Sequence, residues 1–204
     1  MLLRLDQFEA AQRYYLMSQT LVPRPIAWVL SENATGNYNL APFSYFNAIC
    51  SAPPLIMLSI GKKPDGADKD TRRNIIERKR FTVHIASLDS LEALNQSASP
   101  LDENQSEIDA LDLATTEFQG FALPRLTDCK IAYACELRDI HIIGKVEQAV
   151  IYGEIKTIYL DDSIATEDDK GRVKVQVDKL QPVSRLGASE YMARGEVVTL
   201  KRYY

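Results

Sequence analysis

The chain has 204 residues, of which 46% are hydrophobic and 25% are charged. This is the composition of an ordinary globular protein, and it excludes a disordered tail, a collagen-like repeat and a disulfide-rich scaffold. The formal net charge is −4, from 24 Lys and Arg residues against 28 Asp and Glu residues, which argues against nucleic-acid binding through a basic surface. Since a typical domain has about 150 residues, we expect one domain over residues 1–204.

The cysteines and the N-terminal segment also exclude several protein classes. Cys50, Cys129 and Cys135 are odd in number and form no CxxC pair, so no metal site is predicted. The first residues carry charges at Arg4 and Glu9 and lack the apolar run of a signal peptide. No stretch approaches the roughly 20 apolar residues of a membrane span, so we expect a cytoplasmic protein that does not enter the membrane.

The first predicted strand follows two prolines in VPRPIAWVLS and covers residues 26–30. Pro23 and Pro25 fix the backbone torsion φ, which holds Arg24 extended at the entrance of the strand. An arginine in this position can point at an anion. Taken alone, however, the segment favours a surface arginine at the start of a strand.

A loop over residues 31–39 leads to NLAPFSYFN, which places small polar groups among aromatic rings. The polar residues are Asn39, Ser44 and Asn47, and Phe46 is one of the aromatic neighbours. Such a mixture suits a flat heteroaromatic ligand with a polyol tail. A sheet edge with aromatic packing explains it equally well.

A strand over residues 55–60 and a loop over residues 61–69 precede KDTRRNI, which opens a predicted helix over residues 70–80. The Thr71 hydroxyl, the Asn74 amide and the unpaired N–H groups of the first helical turn would all face an anion placed there. Lys69 adds positive charge, and Asp70 or Thr71 is the predicted N-cap. An amphipathic helix with a solvated basic face is the alternative.

The rest of the chain adds mostly strands. The predicted strands cover residues 81–86, 131–137 and 173–177, with a strand pair or one strongly bent strand over 140–160. The predicted helices cover residues 89–96, with an Asp89–Glu92 capping box, and residues 107–113, and an acidic loop covers residues 161–171. Strands without regularly alternating helices favour an antiparallel barrel over a doubly wound parallel sheet.

No residue pattern identifies a catalytic group. His84 and His141 both lie in predicted strands and in neither HExxH nor HxH spacing, and GxSxG, Walker A and GxGxxG motifs are absent. A ligand that carries its own chemistry would account for a pocket without a catalytic triad.

The order of several segments resembles the flavin reductase-like, FMN-binding split-barrel family. The segments are PRPIAWV, NLAPFSYFN, SAPP, KDTRRNI, FTVHIAS and PVSRLGASEY. The resemblance implies a mainly β fold with a few helices, a six-stranded antiparallel Greek-key split β-barrel. It also implies a homodimer with FMN at each subunit interface.

The resemblance further implies a set of cofactor-binding residues. The strand entrance would line the flavin with Arg24, Pro25, Ile26, Ala27 and Trp28. The second segment would contact the isoalloxazine or ribityl chain through Asn39, Ser44, Phe46 and Asn47. The phosphate would be held by Lys69, Thr71 and Asn74, and the C-terminal motif would complete the pocket with Arg185 and Tyr191.

The leading hypothesis is an FMN-dependent oxidoreductase that passes electrons from a nicotinamide or protein donor to a flavin, metal chelate or other acceptor. The family's reductase branch carries a Gly–Asp–His triplet where this chain has LRDIHIIG, which argues against efficient NADH oxidation. NADH and NADPH both stay candidate donors. The alternatives are a flavin carrier without its own substrate chemistry and a dimeric split-barrel binding protein without flavin.

Overall fold

The computed structural model describes residues 1–201 and is mainly β, with five α-helices and three short 3-10 helices among these residues. The helices are α1 (Ala10–Thr20), α2 (Asp70–Arg78), α3 (Leu91–Gln96), α4 (Glu107–Ala110) and α5 (Val177–Leu180). The strands are β1 (Arg24–Pro25), β2 (Ala27–Glu32), β3 (Tyr38–Phe43), β4 (Phe46–Ser51), β5 (Pro54–Ile60), β6 (Arg80–His84), β7 (Thr115–Thr116), β8 (Arg125–Leu126), β9 (Ile131–Ile143), β10 (Gln148–Leu160), β11 (Ala165–Glu167), β12 (Val173–Val175), β13 (Val183–Arg185) and β14 (Tyr191–Ala193). The single domain over residues 1–204 stays a prediction, and its residues 202–204 lie outside the described part.

The main sheet has seven strands in the order β3-β2-β6-β9-β10-β5-β4, and every neighbouring pair is antiparallel. The two edge strands, β3 and β4, follow one another in the chain and are separated only by a bend at Ser44 and Tyr45. One continuous segment therefore supplies both edges, and the Ser59 amide donates to the Tyr45 carbonyl at 2.9 Å across the bend. The mainly β split-barrel fold is confirmed, whereas the main sheet has seven strands where six were predicted, because the bend divides this segment into β3 and β4.

Two hydrophobic clusters explain why the first predicted strand is apolar without interruption. Side chains alternate along a strand, so Ala27 and Val29 of β2 enter the barrel interior while Trp28 and Leu30 point to the other face. That outer face is covered by α3, α4 and the small sheet β1-β13-β14. Leu94 of α3 and Val183 of β13 belong to the outer cluster. Strand β2 is thus buried on both faces.

The glycine-containing segment over residues 140–160 is a strand pair, one of the two predicted possibilities. Strand β9 pairs with β10 over its full length, and Gly144, with φ 70°, helps to form the turn between them. The ladder has register shifts next to Gly153 and between Ile155 and Thr157. Gly153 lies against the Phe81 ring, where a side chain would find no room.

The structure differs from the sequence-based expectation at four places. Helix α1 was not predicted, because only Ser18 among its residues is buried and its sequence has no apolar stripe. The acidic loop over residues 161–171 contains β11, which pairs with β12. Helix α2 begins after Lys69, so neither Asp70 nor Thr71 is its N-cap, and the capping box at α3 is formed by Ser87 and Ser90 just before it.

Candidate functional site

A cleft of about 460 Å³ opens where α1, the bend after β3, the start of α2 and the C-terminal turn after β13 meet. Its volume lies within the range of small-molecule sites. Five aromatic rings line it, those of Tyr14, Tyr15, Phe43, Tyr45 and Tyr191. The Tyr14 and Tyr45 rings also contact each other, with centroids 6.2 Å apart. The cleft therefore offers flat apolar surfaces to a planar ligand.

The cleft is positively charged although the chain as a whole is negative. Arg24, Lys69 and Arg185 line it, and no Asp or Glu stands among its lining residues. Uncharged polar groups complete the wall, namely those of Ser18, Ser44, Ser59 and Gln148. Three cations without a carboxylate favour an anionic ligand.

Arg24 connects three walls of the cleft through a buried guanidinium group. Its Nη1 donates to the carbonyls of Ser18 and Leu21 at the end of α1, at 2.6 and 2.7 Å. Its Nη2 donates to the Leu186 carbonyl at 2.8 Å, and its Nε donates to the Ser44 hydroxyl at 3.2 Å. Because all three nitrogens are used, Arg24 shapes the cleft by fixing α1, the bend and the C-terminal turn in relation to each other.

Lys69 immediately precedes helix α2, and it is the basic residue at the start of this helix that lines the cleft. Asp70 beside it pairs instead with Lys63 and Arg73, each at 2.8 Å. Lys69 forms no ion pair among the described residues, its ammonium lies 5.9 Å from the Phe43 ring centre, and desolvation lowers its pKa. The positive end of the α2 dipole adds to this charge. This end of the cleft is therefore suited to a phosphate group.

Arg185 and Tyr191 form the opposite wall. The Arg185 guanidinium lies 4.5 Å from the Tyr191 ring centre, and the Tyr191 hydroxyl donates to Asn95 at 2.9 Å. Arg185 also donates to the Ala188 carbonyl. Antiparallel pairing of β1 with β13 sets Arg24 opposite Arg185, which explains how residues 161 positions apart reach one cleft.

Three of the predicted site residues lie behind the cleft wall, in a buried polar cluster between α2 and strands β2 and β3. Asn39 donates to the Thr71 hydroxyl at 2.8 Å, and Asn74 donates to Asn33 at 2.8 Å and to Ser31 at 3.2 Å. These bonds fix the first turn of α2 against the sheet, and so they position Lys69. Direct contact of Asn39, Thr71 or Asn74 with a cofactor stays a prediction.

Some of the other predicted residues line the cleft and others do not, depending on the face of the strand on which each one lies. Ile26 and Ser44 line the cleft with Arg24, whereas Pro25 is exposed and Ala27 lies in the barrel interior. The remaining three lie outside the cleft lining: Trp28 is buried in the outer cluster, Phe46 packs against the barrel core, and Asn47 is exposed on β4. The cleft thus brings together Arg24, Ile26, Ser44, Lys69, Arg185 and Tyr191.

Sequence reasoning missed the contribution of α1, which brings Tyr14, Tyr15 and Ser18 to the cleft. It also missed Gln148, whose amide donates to the Ser59 hydroxyl at 2.9 Å in the wall. The pair of neighbouring tyrosines in a segment with good helix formers was the available signal for α1.

The two histidines provide no catalytic group in the cleft. His84 is fully buried, with its Nδ1 3.0 Å from the Trp28 carbonyl and its Nε2 accepting from the Leu126 amide at 2.9 Å. Burial lowers its pKa to about 4. His141 lies on the exposed part of the β9–β10 hairpin. Within residues 1–201, no group of three metal-ligating side chains comes together, and no helix is long and apolar enough to cross a bilayer.

Comparison with known proteins agrees with the fold. The chain is 33% identical over 202 residues to YwrF, an uncharacterized protein of Bacillus subtilis (strain 168), with 97% of this chain and 96% of the relative covered. The crystal structure of nitrilotriacetate monooxygenase component B from Bacillus cereus superposes with a TM-score of 0.89 at 30% identity, covering 98% of both chains. That of 2-nitrobenzoate 2-nitroreductase NbaA from Pseudomonas fluorescens superposes with a TM-score of 0.88 at 31% identity, covering 100% of this chain and 96% of the other.

The sequence profile described as "Flavin reductase like domain" matches residues 17–174, a range that includes β1 to β11, the first two residues of β12 and the end of helix α1. The split-barrel fold agrees with this match. The chain therefore belongs to the flavin reductase-like family of split-barrel proteins.

Proposed function

We propose that the cleft binds FMN and that the protein is an FMN-dependent oxidoreductase. The observation that carries this proposal is the combination of five aromatic rings with three cations and no carboxylate in one cleft. FMN joins a flat ring system to a dianionic phosphate, so it requires both features. Bound flavin would supply the redox chemistry by accepting and releasing a hydride or electrons.

The arrangement of charges suggests how the cofactor lies. Lys69 and the first turn of α2 would hold the phosphate, with Thr71 and Asn74 fixing that turn from behind. The aromatic rings of the cleft would enclose the isoalloxazine and restrict water. Arg24 would keep the walls at the correct separation, since its bonds join all three of them.

The electron donor would be NADH, NADPH or a protein, and the acceptor a flavin, metal chelate or other oxidant. The similarity to a monooxygenase component and to a nitroreductase supports a redox role and leaves the acceptor open. A flavin carrier is the second hypothesis, because no Asp, Glu or His lines the cleft, so neither a carboxylate nor an imidazole is available there as a general acid or base. Rapid turnover of NADH or NADPH would exclude the carrier.

We expect two copies of the chain to form a homodimer. Strand β4 is exposed along Asn47–Ser51, including Ile49, and the nearby hairpin tip exposes Ile142, Ile143 and Val146. Exposed apolar residues along a sheet edge favour pairing with another surface. We expect light scattering to give twice the chain mass of 23.0 kDa at micromolar concentration, and a monomeric mass would contradict the dimer.

The phosphate assignment is tested by replacing Lys69 with Met. Loss of a charge-assisted hydrogen bond, worth about 1.5–3 kcal/mol, should weaken FMN binding about 10- to 100-fold in a fluorescence titration. Riboflavin lacks the phosphate, so its affinity should be nearly unchanged by the same substitution. Lys174→Met, at an exposed position of β12, is the matched control and should bind FMN as the wild type does.

Equal losses for riboflavin and FMN would show that Lys69 does not contact the phosphate. Binding of neither flavin by the wild-type protein would overturn the proposed function itself.

A further inference from the structure

A second cavity of about 340 Å³ lies on the outer face of the main sheet, between the start of α3 and the segments around β7 and β8. It shares no lining residue with the cationic cleft. Trp28, Ala93, Leu113, Leu126 and Cys129 are its apolar lining, and we call it the Trp28 pocket.

The floor of the Trp28 pocket is buried and has no charge. Trp28, Leu126 and Cys129 are 1%, 3% and 4% exposed. The indole nitrogen of Trp28 donates to the Ser97 hydroxyl at 2.9 Å, so its hydrogen-bonding capacity is already used. The Cys129 thiol forms no hydrogen bond among the described residues, and burial raises its pKa to about 12, which keeps it neutral. A ligand in the pocket would thus meet an apolar floor and one unpartnered thiol.

The rim of the Trp28 pocket is acidic. Asp89 and Asp128 line it and form no ion pair or side-chain hydrogen bond within the described part of the chain. Lys130, the one basic lining residue, donates from Nζ to the Lys179 carbonyl at 2.9 Å. The Ser90 hydroxyl accepts from the Ser87 amide and donates to the Ser87 carbonyl, so it is already used, whereas the two carboxylates have no such partner.

Arg125 is the other cation near the pocket, and its charge lowers the pKa of the Cys129 thiol against the larger opposite effect of burial. Its guanidinium lies 3.4 Å from the Tyr159 ring centre and donates to the carbonyls of Leu126 and Thr127 at 3.3 and 3.4 Å. It lies outside the pocket lining. Among the lining residues alone, the two carboxylates of Asp89 and Asp128 oppose the one ammonium group of Lys130, which gives the lining a net charge of −1.

From this arrangement we infer that the Trp28 pocket is a second ligand site, which binds a small organic cation with an aromatic or branched apolar body. The body would occupy the floor against Trp28 and Leu126, and the ammonium group would lie between Asp89 and Asp128 at the rim. The site does not depend on flavin binding, because the two cavities have separate linings.

The test uses intrinsic fluorescence, since Trp28 is the only tryptophan of the chain. The probe is 2-phenylethylamine, and the matched probes are 2-phenylethanol and 3-phenylpropanoate, which keep the ring and lose or reverse the charge. We expect a saturable change in Trp28 emission with the amine and at least tenfold weaker binding of the other two. Saturating the protein with FMN should leave the amine affinity unchanged.

The double substitution Asp89→Asn and Asp128→Asn should weaken amine binding at least tenfold while the protein keeps its fold. Glu167→Gln with Asp169→Asn, in the acidic segment around β11, removes the same charge elsewhere and should have no effect. Saturation-transfer NMR on the probe repeats each titration without relying on Trp28. Absence of saturable binding in both readouts, equal affinity for all three probes, or displacement of the amine by FMN would overturn the assignment.

Discussion

The buried imidazole of His84 should make the stability of the protein depend on pH in a defined range. His84 joins β6 to the Trp28 carbonyl of β2 and to the Leu126 amide of β8, and burial lowers its pKa from 6.5 to about 4. Between these two values the unfolded state binds a proton that the folded state does not. The contribution of His84 to the free energy of unfolding is therefore fully present above pH 6.5. It is lost progressively as the pH is lowered towards 4, and it does not change further below that pH.

The size of the effect follows from the same two values. Each pKa unit corresponds to about 1.4 kcal/mol, so His84 should remove about 3 kcal/mol of unfolding free energy between pH 6.5 and 4. Glu107 acts in the opposite direction, because burial raises the pKa of its carboxyl and lowers stability as the pH rises. A comparison with a His84 variant cancels this contribution.

The assay is urea unfolding at closely spaced pH values for wild-type protein, His84→Leu and His141→Leu. His84→Leu should lose stability at pH 7, because it leaves the Trp28 carbonyl and the Leu126 amide unpaired. In this variant the difference in unfolding free energy between pH 6.5 and pH 4 that is due to His84 should be absent. His141→Leu should retain that difference. The chain has only two histidines, so the imidazole NMR signal that survives in His141→Leu belongs to His84. If that signal titrates near 6.5, the reasoning is refuted, even if His84→Leu fails to fold.

Two further substitutions test the barrel and the cluster behind the cleft. A β-carbon at Gly153 would lie 2.5 Å from the Phe81 ring, so Gly153→Ala should cost about 1–3 kcal/mol in thermal unfolding. Gly195→Ala, which meets open space, should cost almost nothing, and equal melting temperatures for the two variants would contradict the packing. Thr71→Ala removes the acceptor of the Asn39 amide, so we expect weaker FMN binding with the fold retained and recovery in Thr71→Ser. Unchanged FMN affinity in Thr71→Ala would show that the cluster does not support the cofactor site.

The barrel could be predicted from sequence because its strands carry direct signals. The alternation at residues 131–137 and the apolar run at 26–30 both correspond to strands, β9 and β2. Helix α1 carried no comparable signal, since Ser18 is its only buried residue in the described chain and its tyrosines line the cleft. Its position depends on tertiary contacts, above all the bonds from Arg24 to the carbonyls of Ser18 and Leu21.

The charged residues of the candidate site could be predicted from sequence. Which strand side chains face the cleft was harder to predict. Arg24, Ile26 and Lys69 do line the cleft, but Ala27 lies on the opposite face of β2 because side chains alternate along a strand. Trp28 shares the face of Ile26 and lies farther along the strand, where it reaches the second cavity. Successive side chains of an extended strand point to opposite faces, so the side chains of residues 24–28 cannot all line one site.

The central claim is that the cationic aromatic cleft binds FMN, and an absorption spectrum tests it most directly. The purified, desalted protein is measured in the visible range before and after addition of FMN, and the free cofactor is then removed and titrated back. We expect retained or saturable flavin absorbance together with quenched flavin fluorescence, at one FMN per chain. A colourless protein that neither retains FMN nor changes its spectrum would contradict the account and leave only the split-barrel fold.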